Sequence, residues 1–99
     1  MVYESVLIAV TPGQEADFEA GVTKAVPLFQ NARGCRAMRL DRSVETPTHY
    51  TLVAEWDSVD DHMVHFRESP AFKEWRALVS PYFAAAPQME HRHTVVKGF

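Results

Sequence analysis

Val2 to Val10 is a nearly continuous apolar run with β-branched residues, and it reads as a strand. Thr11-Pro12-Gly13-Gln14 follows as a helix start: Thr11 can cap, Pro12 suits the first helical position, and Gln14 completes a capping box. Phe18, Val22, Ala25 and Phe29 then recur at helical spacing and give that helix one apolar face. Pro27 interrupts the pattern and should kink the helix or end its regular part, with Gly34 placed as the stop. Cys35 to Val44 reads as a second strand, Glu45-Thr46-Pro47 as a turn, and His49 to Trp56 as a third strand. Ser58-Val59-Asp60-Asp61 resembles another helix start, and Ser69-Pro70 restarts that helix after a break. Phe72, Trp75, Leu78 and Val79 form the apolar face of its second segment, and Met89 to Val96 is the last strand.

The order is βαβ followed by βαβ. Two such halves close most economically as a four-stranded antiparallel sheet with both helices on one face, an α+β, ferredoxin-like βαββαβ arrangement. Residues 1–99 make a single domain, with no linker and no low-complexity segment. In the first strand Val6, Ile8 and Val10 alternate with Leu7 and Ala9, and both sets are apolar. In the third, Leu52, Ala54 and Trp56 alternate with Thr51 and Val53, again without a clearly wet face. The sheet therefore needs a second cover, and a homodimer packed sheet against sheet is the expected one.

Composition narrows the partners. A net charge of −3 gives no basic face for nucleic acid. The N-terminus lacks the basic region of a signal peptide, and no apolar run approaches the roughly 20 residues that span a bilayer. Cys35 is the only cysteine and cannot form an intrachain disulfide, which fits a reducing cytoplasm. Beside Gly34 at a strand start, it reads as a buried small hydrophobe.

The segments PGQE, AVPLFQNARGC and EWDS, then His65-Phe66 and SPAFKEW, are similar to those of the antibiotic biosynthesis monooxygenase (ABM) family of dimeric α/β barrels. The resemblance spans about residues 3–96. It implies the dimer and a small-molecule substrate, and it lets three branches be compared. The Asn, Trp and His of haem-degrading members fall at Val6, Phe66 and Arg76, so haem degradation is disfavoured. Members that oxidise anthrone-like polyketides carry a strand-three Trp and an Arg twenty residues later, as Trp56 and Arg76 do here. The Asn and Tyr that accompany that pair fall at Leu52 and His62. Members acting on quinols or a small phosphorylated sugar carry a His nine residues after the Trp, where His65 stands.

A cofactor-free oxygenase needs a base near neutrality, a positive group for a developing oxyanion and an apolar chamber. On this resemblance His65 is the expected base and Arg76 the oxyanion partner, with Trp56, Phe66, Phe72 and Trp75 as walls. His62, three residues before His65, is expected on about the same helix face, where the two can share a proton. The same aromatics also suit a plain helix-on-sheet core, and Arg76 can instead pair with Glu68 or Glu74 at the surface. His91 and His93 share a face at period two but lack further ligands, so no metal is expected. There is no Gly-rich phosphate loop and no nucleophile elbow, and no cofactor is expected. The expected function is a cofactor-independent monooxygenase of a quinol-like or polycyclic phenol. The alternatives are an isomerase of a small oxygenated metabolite and a non-catalytic dimer that binds an aromatic ligand.

Overall fold

Strand β1 (Val2–Ala9) lies inside a four-stranded antiparallel sheet and pairs on both edges, with β3 (His49–Trp56) and with β4 (Gln88–Arg92). Strand β2 (Cys35–Arg42) completes the order β2-β3-β1-β4. The computed structural model describes all 99 residues, and its arrangement is the α+β, ferredoxin-like one. Because strand side chains alternate, one parity of each strand meets the helices. Glu4, Val6 and Ile8 of β1 and Tyr50, Leu52, Ala54 and Trp56 of β3 are buried on that side.

The other face is mixed rather than apolar. Leu7 is 51% exposed there, but Arg39 pairs with Asp41 at 3.1 Å and Arg92 with Glu90 at 2.6 Å. The first and third strands alone suggested a dry face; the outer strands supply its charges. Strand β4 is also shorter than its sequence suggests. Arg92 pairs with Tyr3, one residue from the start of β1, so Thr94, Val95 and Val96 have no strand left to join.

Helix α1 (Glu15–Gln30) buries Phe18, Val22, Ala25 and Phe29, the apolar face that its periodicity marks. Its start differs from expectation. Thr11 accepts a backbone bond from Gln14 at 3.0 Å, and Gly13 has a φ of +90°, so Pro12 and Gly13 are the corners of a turn before the helix. A glycine at positive φ is the signature of that turn, and it outcompetes Pro12 as a first helical residue. Pro27 ends nothing: the helix continues to Gln30.

The second helical region is built differently. Ser58 Oγ accepts the Asp61 N–H at 3.1 Å, as a helix start should. Residues Asp61–Phe66 then form a π-helical turn, in which Arg67 N–H reaches back five residues to the His62 carbonyl at 2.9 Å. Ser69 is extended, and helix α2 (Pro70–Val79) restarts on Pro70, burying Trp75 and Val79. A 3₁₀ turn (Ser80–Tyr82) leads on towards β4. Phe29 ties the two regions together, with ring centroids 4.9 Å from Phe66, 5.0 Å from Trp75 and 6.4 Å from Trp56. No helix is long and apolar enough to cross a membrane.

Candidate functional site

The π-helical turn decides which side chains face inward. Bonds from i to i+5 widen the turn, so positions four apart share a face where three apart would in a tighter helix. His62 and Phe66 are therefore both buried, at 3% and 3% exposure, while His65 falls outside. The expectation that His62 and His65 share a face is corrected here. His65 is exposed in an outer groove beside Asn31 and Ala71.

Between α2 and the sheet lies a chamber of about 150 Å³. Val6 and Ile8 of β1 and Met89 of β4 form its floor, and Phe72 and Trp75 of α2 its roof. Arg76, Arg67 and Phe83 stand at its rim; the Arg76 guanidinium lies 5.7 Å from the Phe83 ring, and that of Arg67 lies 5.9 Å from Phe72. Arg76 is exposed and makes no ion pair with Glu68 or Glu74. Arginines over aromatic faces are held without a carboxylate, which leaves their charge available to the chamber.

Glu4 and His62 also line this chamber, and both are buried. Trp56 Nε1 donates to Glu4 Oε1 at 3.0 Å, and His62 Nε2 lies 3.3 Å from the same oxygen. The Trp56 ring stacks on His62, with centroids 5.1 Å apart and planes 23° from parallel. Across the sheet pairing His91 stands opposite Glu4, and its Nε2 lies 2.8 Å from His62 Nδ1. With His62 Nε2 protonated and donating to Glu4, its Nδ1 accepts from His91, and one tautomer serves both contacts.

Burial sets the protonation of these groups. Removal from water raises Glu4 to about 7 despite the Trp56 hydrogen bond, which favours the carboxylate. Burial likewise lowers His62 to about 4, with His91 and Arg67 adding smaller effects in the same direction. Cys35 is half-buried rather than buried; burial and then the Glu4 charge push its thiol up to about 11, so it stays a thiol.

Four of the sequence-selected residues meet at the chamber: His62, Phe72, Trp75 and Arg76. Trp56 is fully buried behind His62, and Phe66 packs into the core against Phe29 rather than lining the chamber. His91 and His93 do not act together. His93 lies beyond the end of β4 in a groove on the open face, and no cluster of three or more metal-ligating side chains exists. Glu4 and the inward role of His91 escaped the sequence reading. The signal was parity: Glu4 shares the inward set with Val6, Ile8 and Val10, an acid where only apolar side chains belong.

The fold is a small α+β sheet-and-helix one, with a half-open chamber lined by an acid, an imidazole and aromatic side chains. The model of the antibiotic biosynthesis monooxygenase family matches residues 1–78, and the chain belongs to that family. A solved structure from Bordetella bronchiseptica, named for the same family, is 54% identical with a TM-score of 0.94, the match covering 96% of this chain and 97% of that one. The uncharacterized protein YczJ of Bacillus subtilis is 31% identical over 91 residues, which is 92% of this chain and 96% of YczJ. SnoaB of Streptomyces nogalater, a cofactor-independent oxygenase solved as a mutant, shares the fold at 17% identity and a TM-score of 0.84, over 97% of this chain and 94% of SnoaB.

Proposed function

We propose that this chain is an oxygenase that acts, without a resident cofactor, on quinol-like phenols held in the chamber. The observation that carries the reading is a buried carboxyl–imidazole pair facing an unpaired arginine across aromatic walls. A phenol that loses its proton there becomes an electron-rich phenolate able to reduce O₂ directly. One oxygen atom forms a bond to a ring carbon, and the other leaves as water. The ring supplies the electrons and ends as a hydroxyquinone. Arg76 opposes the negative charge that develops on the substrate oxygen, in surroundings where such charge is poorly screened. Phe72 and Trp75 hold the ring. Membership of a family that includes monooxygenases supports this class, as does the fold shared with SnoaB.

The same reading includes a second copy of the chain. The open sheet face carries Leu7, Tyr3 and Val53 among self-paired charges, and a homodimer through this face would bury them. Light scattering at micromolar concentration should give twice the chain mass.

Oxygen uptake with a panel of hydroquinones tests the activity. The wild type should consume O₂, and Arg76→Ala should lose roughly a hundredfold in kcat/KM, the usual loss of one oxyanion donor. Quinols that quench the fluorescence of Trp56 and Trp75 yet never consume O₂ would make this a binding protein instead.

A further inference from the structure

We propose that Glu4 is the group that receives the substrate's hydroxyl proton, that His62 positions it, and that His91 is the outlet to solvent, for substrates of a single aromatic ring. This rests on the quinol reading above and names its base and its substrate class.

Geometry assigns the base. The one side-chain hydrogen bond to Glu4, from Trp56 at 3.0 Å, ends on Oε1, and His62 Nε2 lies 3.3 Å from the same oxygen. Oε2 accepts none, yet it is not a sealed, unsatisfied atom; only Gln14 Oε1 is. Since Glu4 lines the chamber, Oε2 is open to a ligand's hydroxyl. With Trp56 donating to Oε1 and His62 set against the same oxygen, Oε2 is left as the acceptor of a phenolic O–H. His62 is not the base: its Nε2 is turned to Glu4, 3.3 Å away, and its Nδ1 to His91, so neither nitrogen is left for the substrate. It holds the carboxylate in place, stacked on Trp56.

The proton then has a route. It passes from the phenol oxygen to Oε2, and the phenolate keeps the electron pair of the O–H bond. His62 and His91 form a connected line from Glu4 towards the sheet edge, where His91 is partly exposed on the outermost strand. Outward transfer uses the opposite tautomer: His62 Nε2 takes the proton from the Glu4 carboxyl, the His62 Nδ1–H passes to His91 Nε2, and His91 releases its Nδ1 proton to solvent. The groups that face Glu4 or share its chamber are His62 of the π-helical turn, Arg67 after it, Arg76 of α2, His91 of β4 and, more weakly, Cys35 of β2. Burial raises Glu4 to about 7 against the Trp56 hydrogen bond, which favours the carboxylate.

Size assigns the ring. An apolar cavity of about 150 Å³ holds benzene, and this chamber is about 150 Å³. A one-ring hydroquinone fills that volume between Phe72 and Met89, whereas an anthrone of three fused rings exceeds it.

The test is anaerobic first and aerobic second. Under nitrogen, a one-ring hydroquinone titrated against tryptophan fluorescence should bind about tenfold more tightly at pH 8 than at pH 5.5, because ionised Glu4 accepts the hydroxyl. Glu4→Gln should bind with no such pH dependence, and an anthrone should not bind to either. In air, kcat/KM of the wild type should rise through pH 7, and Glu4→Gln should lose a hundredfold or more. His91→Phe, on an edge strand, tests the outlet even if Glu4→Gln fails to fold. Losing its donor frees His62 to turn its proton away from Glu4, so the limb should move to higher pH. Binding with equal pH dependence in wild type and Glu4→Gln, or an unmoved limb in His91→Phe, overturns the proposal. pH-linked binding without O₂ uptake in any variant keeps Glu4 as acceptor and removes only the oxygenase reading.

Discussion

The two halves of the chain share one plan and diverge at their helical connections. In the first half a single sixteen-residue helix, α1, passes through Pro27 without a break and seals its face with Phe18, Val22, Ala25 and Phe29. In the second, the connection is split into a π-helical turn, an extended Ser69 and the ten-residue α2. The split leaves space between α2 and the sheet, and the chamber occupies it. Every titratable residue of the chamber comes from β1 or from the second connection. The proposed site sits where the repeat departs from regularity, a common place for π-turns.

Substitutions on the two sides should separate accordingly. Phe29 is 1% exposed and touches Phe66, Trp75 and Trp56, so Phe29→Ala should cost about 3 to 5 kcal/mol in urea denaturation. That is the largest effect expected, and it falls on the sealed half. A cost below about 1 kcal/mol would mean the second half does not lean on α1. Next comes Arg76→Ala at the rim, with the roughly hundredfold activity loss given above and a stability change within about 0.5 kcal/mol. Equal losses of stability at both positions would erase the distinction between core and site.

How far the sequence carries can be read from particular residues. The strand starts, the apolar face of α1 and the restart at Ser69-Pro70 follow from periodicity and turn chemistry, and they appear as expected. The start of α1 does not, because Gly13 at positive φ makes Pro12 a turn corner. His65 was misplaced for a different reason. Helical periodicity assumes i to i+4 bonding, and nothing local in DHMVHF announces the wider π turn. Glu4 was missed although it was legible, since its parity with Val6 and Ile8 points it inward. His91 gains meaning only from pairing opposite Glu4, a register that no single strand encodes.

A smaller effect separates the two ionisable members of the chamber. Glu4 is raised from 4.5 to about 7, so its contribution to stability is whole below pH 4.5 and is lost as pH rises through 7. His62 is lowered from 6.5 to about 4, so its contribution is whole above pH 6.5 and is lost as pH falls through 4. Between pH 4.5 and 6.5 the folded pair holds its one proton on Glu4 and the unfolded pair holds one on histidine, so the two slopes cancel. Glu4→Gln removes one slope. Its stability should then rise from pH 4 to 6.5 by about 1 to 2 kcal/mol more than that of the wild type, a figure discounted because the chamber is half open and solvent screens charge there. Parallel curves for the two proteins, from thermal denaturation across that range, would mean that folding does not raise Glu4.

The smallest expected effect carries the sharpest contrast. His62 and His65 are three residues apart, and in an α-helix they would share a face. Here the π turn sends His62 to Glu4 and Trp56 and leaves His65 exposed beside Asn31. His65→Ala should therefore leave kcat/KM within about twofold and stability within about 0.5 kcal/mol of the wild type. His62→Ala, measured beside it, should lose activity and part of the fold's stability, because the buried ring stacked on Trp56 and set against Glu4 is removed. A tenfold loss in His65→Ala would show the turn winding as an α-helix in the working protein. That result would return His65 to the chamber and end the claim that the second connection's irregularity builds the site.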